Sequence, residues 1–353
     1  MTSSDASNPE IGTTVDAGAV ATNVHDVAPT HGRAVAGGTV LLLHGSGPGA
    51  TAWGTWRPTI PALASSLRVV APDIPGIGDT QRPADGVYTP SRWVEHLVAL
   101  LDALGLDRVS VLGNSFGGAL ALRLATEHPD RVDRLALMGS AGLSLPVTPS
   151  LGKVWGYRPS FEAMRGLVDV LAYDTSLVTD DLVRLRFEAS TRPGRQEAYE
   201  QMFPHPHQEV LDRLAVPEER IATLPHETLV IHGREDGVIP LSSAVRLLEL
   251  IGRAELHVFG QCGHWTQFRA PRALQHRSLG LLESLVSARS GDIGEWSHWN
   301  IPVWPDFPRW IVGAASSDGL SAAISTRDRA DMATNRLPRP RGRPADNVHV
   351  SDQ

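Results

Sequence analysis

Among its 353 residues the chain has one cysteine, Cys262. A disulfide within the chain is therefore excluded, as is any metal site built from several thiolates, and this usage fits a reducing cytoplasm. No apolar run reaches the roughly 20 residues that a membrane span requires. The N-terminus, MTSSDASNPE, lacks both a basic n-region and an apolar h-region, so it does not read as a secretory signal. Positive charge is not in excess: 32 Lys and Arg stand against 39 Asp and Glu, for a net charge of −7. Composition thus offers no basic footprint for nucleic acid. The absences together lead us to expect a soluble cytoplasmic protein with no nucleic-acid or membrane partner.

What is present is α/β rhythm. The first ten residues are polar and are expected to be disordered, and a β-prone stretch covers 12–27. Apolar strands at 39–43, 68–72, 108–112 and 134–139 then alternate with helical segments at 57–66, 91–105 and 116–128. Such alternation predicts a parallel sheet covered on both faces. From 143 to 224 only helical periodicity is found, and the alternation resumes with 227–233, 241–252, 254–260 and a last helix at 271–288. The reading is a core of 11–142 and 225–288 with a helical lid of 143–224 over the carboxyl ends of the strands, where such sheets bind ligands. The remainder, 289–353, carries Trp296, Trp299, Trp304 and Trp310 among prolines without a sustained period, and its composition predicts a disordered extension.

Two stretches carry chemistry. The first, LLLHGSGPGATAW at 41–53, follows a strand and fits the letters of the dinucleotide fingerprint from Gly45 to Ala50, with Asp73 placed where a ribose-binding acid would lie. Against a nucleotide, Pro48 removes a backbone N–H from the turn, and no P-loop lysine follows. The second, VSVLGNSFGGALALRLA at 109–125, holds Gly113-Asn114-Ser115-Phe116-Gly117 between a strand and a helix. This is the G-x-S-x-G nucleophile elbow, whose tight turn needs small residues two before and two after the serine. A nucleophilic serine needs a base, and the base needs an orienting acid, in the chain order Ser, acid, His. Asp236 and His264 each follow a strand in that order, with Glu235 a local rival for the acid. The histidines of HPH at 205–207 have no carboxylate cluster beside them and are not read as a metal site, and Cys262 is read as a packed side chain.

At this point the stretches LHGSGPGATAW, GNSFGGALAL, LMGSAG, WGYRPSFEAMR, AYDTSLVTDDLVRLRFEASTRPG, LPHETLVIHGREDGVIP and HVFGQCGHWTQF together resemble the meta-cleavage product hydrolases. These are α/β-hydrolases of aromatic degradation that cut a carbon–carbon bond in vinylogous diketones, and the resemblance runs from about residue 10 to about residue 285. Within the family it is greatest to the 2-hydroxymuconate-semialdehyde hydrolases. It implies an α/β-hydrolase fold with Ser115, Asp236 and His264 as catalytic triad, and the backbone N–H groups of Ser46 and Phe116 as oxyanion hole. Gly45, Gly47, Asn114, Arg192 and Trp265 would bind a small dienoate substrate, with Arg192 at its charged end. From the residues alone Arg192 reads as a solvated lid arginine. The resemblance also implies a homo-oligomer, and neither a metal nor an organic cofactor. Thr55 stands where the family often has asparagine, and RAPRALQHRSLG after Phe268 departs from the family pattern. A carboxylesterase with the same triad and a dinucleotide-binding oxidoreductase are the rival readings. The second leaves Ser115, Asp236 and His264 unexplained.

Overall fold

The computed structural model of the chain describes residues 8–30, 38–268 and 324–325. Strands β1 (Thr13–Ala17) and β2 (Val20–Val27) form an antiparallel hairpin, and β2 pairs antiparallel with β4 (Arg68–Pro72). From β4 the sheet is parallel through β3 (Thr39–Leu43), β5 (Val109–Asn114), β6 (Val132–Met138), β7 (Thr228–Gly233) and β8 (Ala254–Phe259). The two residues Ile324–Ser325 (β9) pair antiparallel with β8. The α/β class expected from the sequence is therefore the one found.

Every residue of β3, β5 and β7 is buried, which is why these segments read as unbroken apolar runs. Side chains still alternate between faces. Leu41, Leu43, Val111, Leu135 and Leu137 enter one core with α3 (Pro90–Ala103) and α4 (Phe116–Glu127). Val40, Leu42, Leu112, Ala136 and Met138 enter the other with α1 (Ala52–Trp56) and α2 (Ile60–Leu63). A single helix over 57–66 is expected from the pattern; instead α1 ends before Pro58, whose ring and missing N–H break the run, and α2 starts afresh after Thr59.

Between β6 and β7 the chain forms α5 (Pro149–Trp155), α6 (Phe161–Leu171), α7 (Asp180–Ser190), α8 (Arg195–Met202), α9 (His207–Leu214) and α10 (Glu218–Ile221). Thr148, Ser160 and Thr179 cap the first three by accepting a backbone N–H of the first turn. Helix α11 (Leu241–Leu250) then joins β7 to β8. No helix among the described residues is long and apolar enough to cross a membrane. The expected helix at 271–288 lies outside the described residues, as does the 289–353 segment apart from β9. Glu10, read from the sequence as the end of a disordered leader, is held in place: its backbone carbonyl accepts from Asn23 Nδ2 at 2.9 Å.

One buried histidine makes the fold sensitive to acid. His96 lies on the inner face of α3, its Nε2 2.8 Å from Thr22 Oγ1, and burial pushes its pKa down to about 4 from the usual 6.5. Between pH 6.5 and 4 the unfolded chain takes up this proton and the folded one does not, so stability falls as the pH drops through that window. At about 1.4 kcal/mol per unit the loss approaches 3 kcal/mol, an order-of-magnitude figure. His96→Gln is expected to flatten that part of the urea-denaturation pH profile; an unchanged slope would refute the assignment.

Candidate active site

The strand order β4-β3-β5-β6 means that the chain leaves β3 toward β4 on one side and β5 lies on the other. A parallel sheet opens a crevice at such a switch point, beyond the carboxyl ends of the strands. The glycine loop after β3 and the elbow after β5 meet there. A Cβ built on Gly45 would lie 3.3 Å from the Ser115 Cβ and 3.3 Å from Asn114 Oδ1.

Ser115 has φ 55° and ψ −117°, a conformation that costs a non-glycine residue free energy and is held only by its surroundings. Its N–H donates to Met138 O at 2.9 Å, and its carbonyl accepts from Gly118 and Ala141. The flanking glycines are steric necessities: a Cβ on Gly113 would meet Gly117 O at 2.4 Å, and one on Gly117 would meet Leu43 O at 2.2 Å. The hydroxyl of Ser115 makes no capping bond to α4, so it stands at the positive end of that helix. The N–H of Phe116, at the first position of α4, is one of those a helix leaves without an internal acceptor.

His264 follows β8, and its Nδ1 lies 2.7 Å from Asp236 Oδ2. Asp236 follows β7; its Oδ1 accepts the N–H groups of Val238 and Ile239 at 2.8 and 3.0 Å. Burial alone would raise the Asp236 pKa, but His264, His232 and the Ile239 N–H outweigh it and hold the carboxyl below its usual range. An ionised carboxylate accepts the Nδ1 proton of His264, which leaves Nε2 as the basic nitrogen. Glu235, the sequence-level rival, is engaged elsewhere: Arg234 Nε donates to its Oε1 at 2.8 Å, and the Cys262 N–H to its Oε2 at 2.9 Å. Cys262 packs in the core that contains α1.

Ser115, Asn114, His264, Gly45, Ser46, Gly47, Thr55 and Trp265 line one cleft of about 410 Å³, mouth included, with Leu151, Val154, Leu171 and Val238 as apolar walls. Asp73, the ribose-binding acid of the oxidoreductase reading, is committed within the fold. Its Oδ1 accepts from Ala52 N at 2.6 Å, and its Oδ2 from Asp79 N at 2.6 Å and Asn23 Nδ2 at 2.8 Å. It ties the glycine loop down and has no place for a ribose. Among the described residues no group of three or more His, Cys, Asp or Glu is placed to hold a metal ion.

The arginine expected at the charged end of the cleft is a correction. Arg192 does not line it; beyond the end of α7, its guanidinium pairs with Glu10 and, at 3.2 Å, with Asp79. The arginine in the cleft is Arg186, six positions earlier. Its Nη2 donates to Pro48 O at 2.9 Å, its carbon Cζ lies 5.1 Å from the centre of the Trp265 ring, and its Nε is buried without a partner. Burial pushes its pKa down to about 10, so it stays charged at neutral pH, with no ion-pairing carboxylate among the described residues. The sequence held a signal that was missed: Arg186 falls at helical spacing with Val183, Ala189 and Ser190, the buried face of α7.

The fold and this constellation define a serine hydrolase of the α/β-hydrolase class. Residues 38–166 match the family model described as alpha/beta hydrolase fold. A 2-hydroxymuconate semialdehyde hydrolase of Pseudomonas sp. strain CF600 is 54% identical over 74% of this chain and 89% of that protein. A 2-hydroxy-6-oxo-2,4-heptadienoate hydrolase of Pseudomonas putida is 52% identical over 75% of this chain and 94% of that protein. The solved structure of a meta-cleavage product hydrolase from Pseudomonas fluorescens IP01, a mutant complexed with acetates, matches with a TM-score of 0.74. It is 51% identical and covers 79% of this chain and 98% of its own. The chain belongs to the meta-cleavage product hydrolases.

Proposed function

We propose that the enzyme hydrolyses the C5–C6 bond of 2-hydroxymuconate semialdehyde or a 2-hydroxy-6-oxo-2,4-dienoate with a small C6 substituent. The products are 2-hydroxypenta-2,4-dienoate and a carboxylic acid. The observation that carries this reading is a charged, half-buried guanidinium, that of Arg186, with its Nε out of solvent and no carboxylate partner among the described residues, in the same cleft as Ser115 and His264. A partly desolvated charge of that kind gains most when a ligand carboxylate pairs with it. An ordinary ester offers none, which favours a carboxylate-bearing substrate. The names of the relatives support the same class of substrate.

In this mechanism Arg186 anchors the dienoate carboxylate, in the role that the family resemblance implied for Arg192. His264 assists transfer of the 2-hydroxyl proton to C5, which produces the keto tautomer and its electron sink. Ser115 Oγ, deprotonated by His264 Nε2, then adds to the C6 carbonyl. The N–H groups of Ser46 and Phe116 receive the resulting oxyanion. Collapse expels the C5 side with the electron pair of the C5–C6 bond, and water attacks the acyl-serine with His264 again as base. Residues 143–224 act as a lid, through Leu151, Val154, Leu171 and Arg186. The same reading has the enzyme work in the cytoplasm as an association of like subunits.

The purified protein, mixed with 2-hydroxymuconate semialdehyde, should bleach the visible dienolate band and release formate in equal amount. If it leaves that substrate untouched while hydrolysing p-nitrophenyl acetate, the esterase reading replaces this one. Arg192→Gln tests the reassignment from the other side. A partly exposed ion pair contributes about 1 kcal/mol or less, so its KM should stay within about fivefold of wild type. A KM raised a hundredfold would return the carboxylate to Arg192.

A further inference from the structure

His44 lies between β3 and the glycine loop, fully buried, and its two ring nitrogens are both engaged. The N–H of Ile74 donates to Nε2 at 3.0 Å, so Nε2 is the unprotonated nitrogen. The ring proton therefore sits on Nδ1, 2.8 Å from Gly45 O, and donates to that carbonyl. Burial lowers the His44 pKa against the opposing pull of Asp73, which keeps the ring in the neutral form that these two bonds require.

The carbonyl of Gly45 and the N–H of Ser46 belong to a single peptide unit. In a trans peptide they point in opposite directions within one plane, so fixing one fixes the other. Glycine on one side of that unit would otherwise leave it free to turn. The unit lies beside the nucleophile, as the 3.3 Å approach of a Gly45 Cβ to the Ser115 Cβ shows. The Ser46 side chain is tied separately, by Trp155 Nε1 donating to its Oγ at 3.1 Å, and that bond does not constrain the peptide plane.

We infer that His44 is a positioning residue: its Nδ1–H holds the Gly45 carbonyl so that the Ser46 N–H stays aimed at the oxyanion formed when Ser115 attacks. The inference rests on the hydrolase reading above. It gives the histidine of LLLHGSGPG a function that does not involve titration or contact with substrate.

Two amide variants separate the two bonds. His44→Asn places an amide donor where Nδ1 was, keeps the Gly45 bond and gives up the Ile74 bond. His44→Gln reaches Ile74 with its carbonyl oxygen and gives up the Gly45 bond. With 2-hydroxymuconate semialdehyde as substrate, the Asn variant should keep kcat within about fivefold of wild type. Loss of one oxyanion donor costs about 100- to 1,000-fold, and misdirection of a donor that is still present should cost the Gln variant about 20-fold or more in kcat. KM should change little in either, because the ground-state carbonyl makes weaker use of this donor. Equal losses in the two variants, or an unimpaired Gln variant, overturn the inference and leave His44 a packing residue. Nitrogen-15 NMR of the wild-type protein offers a check that needs no variant: an Nε2–H tautomer at His44 also overturns it. A wild-type protein inert toward the dienoate would instead sink the functional reading, while the tautomer result would still stand.

Discussion

Ser115→Ala is expected to lower kcat by about four orders of magnitude or more, the scale seen when the nucleophile of a serine triad is removed. The hydroxyl cannot be replaced by water from the same direction. The elbow holds Ser115 in a strained, positive-φ conformation at the positive end of α4, and water has no comparable anchor. The substitution should not cost the fold its elbow. The strain at Ser115 is a property of its backbone, and the bonds that hold it there are backbone bonds to Met138, Gly118 and Ala141. KM should therefore stay close to that of the wild type. The two-stage mechanism adds a sharper expectation. Tautomerisation uses His264 and the charged anchor but not Ser115, so the variant should still exchange the C5 proton with deuterated solvent. A variant that turns over at the wild-type rate would remove Ser115 from the chemistry. One that binds substrate but exchanges no proton would show that the two stages are not separable as written.

Arg186→Gln should raise KM by about two orders of magnitude, with a smaller fall in kcat. Truncating one partner of a buried, hydrogen-bonded charge pair costs about 2–5 kcal/mol. The pair here forms when a substrate carboxylate meets the guanidinium, in a cleft walled by Leu151, Val154, Leu171 and Val238. Glutamine can keep a donor for Pro48 O, so the glycine loop retains that support while the charge is lost. Arg186→Lys should recover only part of the loss, because an ammonium cannot hold Pro48 O and a carboxylate with one planar fork. Measured beside Arg192→Gln, this variant decides which arginine faces the substrate. Equal effects from the two would mean that the cleft rearranges when it is filled.

The candidate triad of Ser115, Asp236 and His264 was legible in the sequence because each of the three follows a strand, and strand ends in a parallel sheet converge on one edge. G-x-S-x-G carried its own structural demand, visible as the 2.4 and 2.2 Å clashes that any Cβ at Gly113 or Gly117 would make. Pro48 and the missing lysine were enough to set aside a phosphate cradle at Gly45–Ala50, while the oxyanion reading of that loop came from the family resemblance. The arginine was another matter. Both Arg186 and Arg192 lie in AYDTSLVTDDLVRLRFEASTRPG, the stretch that carries part of the family resemblance. The helical spacing of Arg186 with Val183, Ala189 and Ser190 places it on an inner face but does not by itself mark a ligand for a carboxylate.

Tertiary structure separated them. Arg192 lies past the end of α7, where Glu10 and Asp79, distant in sequence, come together and neutralise it. Arg186 lies on the helix face that turns toward Ser115, and no acid among the described residues pairs with it there. The choice between Asp236 and Glu235 was likewise settled by what surrounds each carboxylate, since Arg234 and the Cys262 N–H occupy one and His264 the other. Local pattern determined the fold class, the elbow that holds Ser115 and the strand-end positions of Asp236 and His264, because backbone geometry at a turn or strand end is a short-range property. Which charged groups are paired and which remain open to a ligand depends on neighbours brought from far along the chain, and only the folded structure decided that.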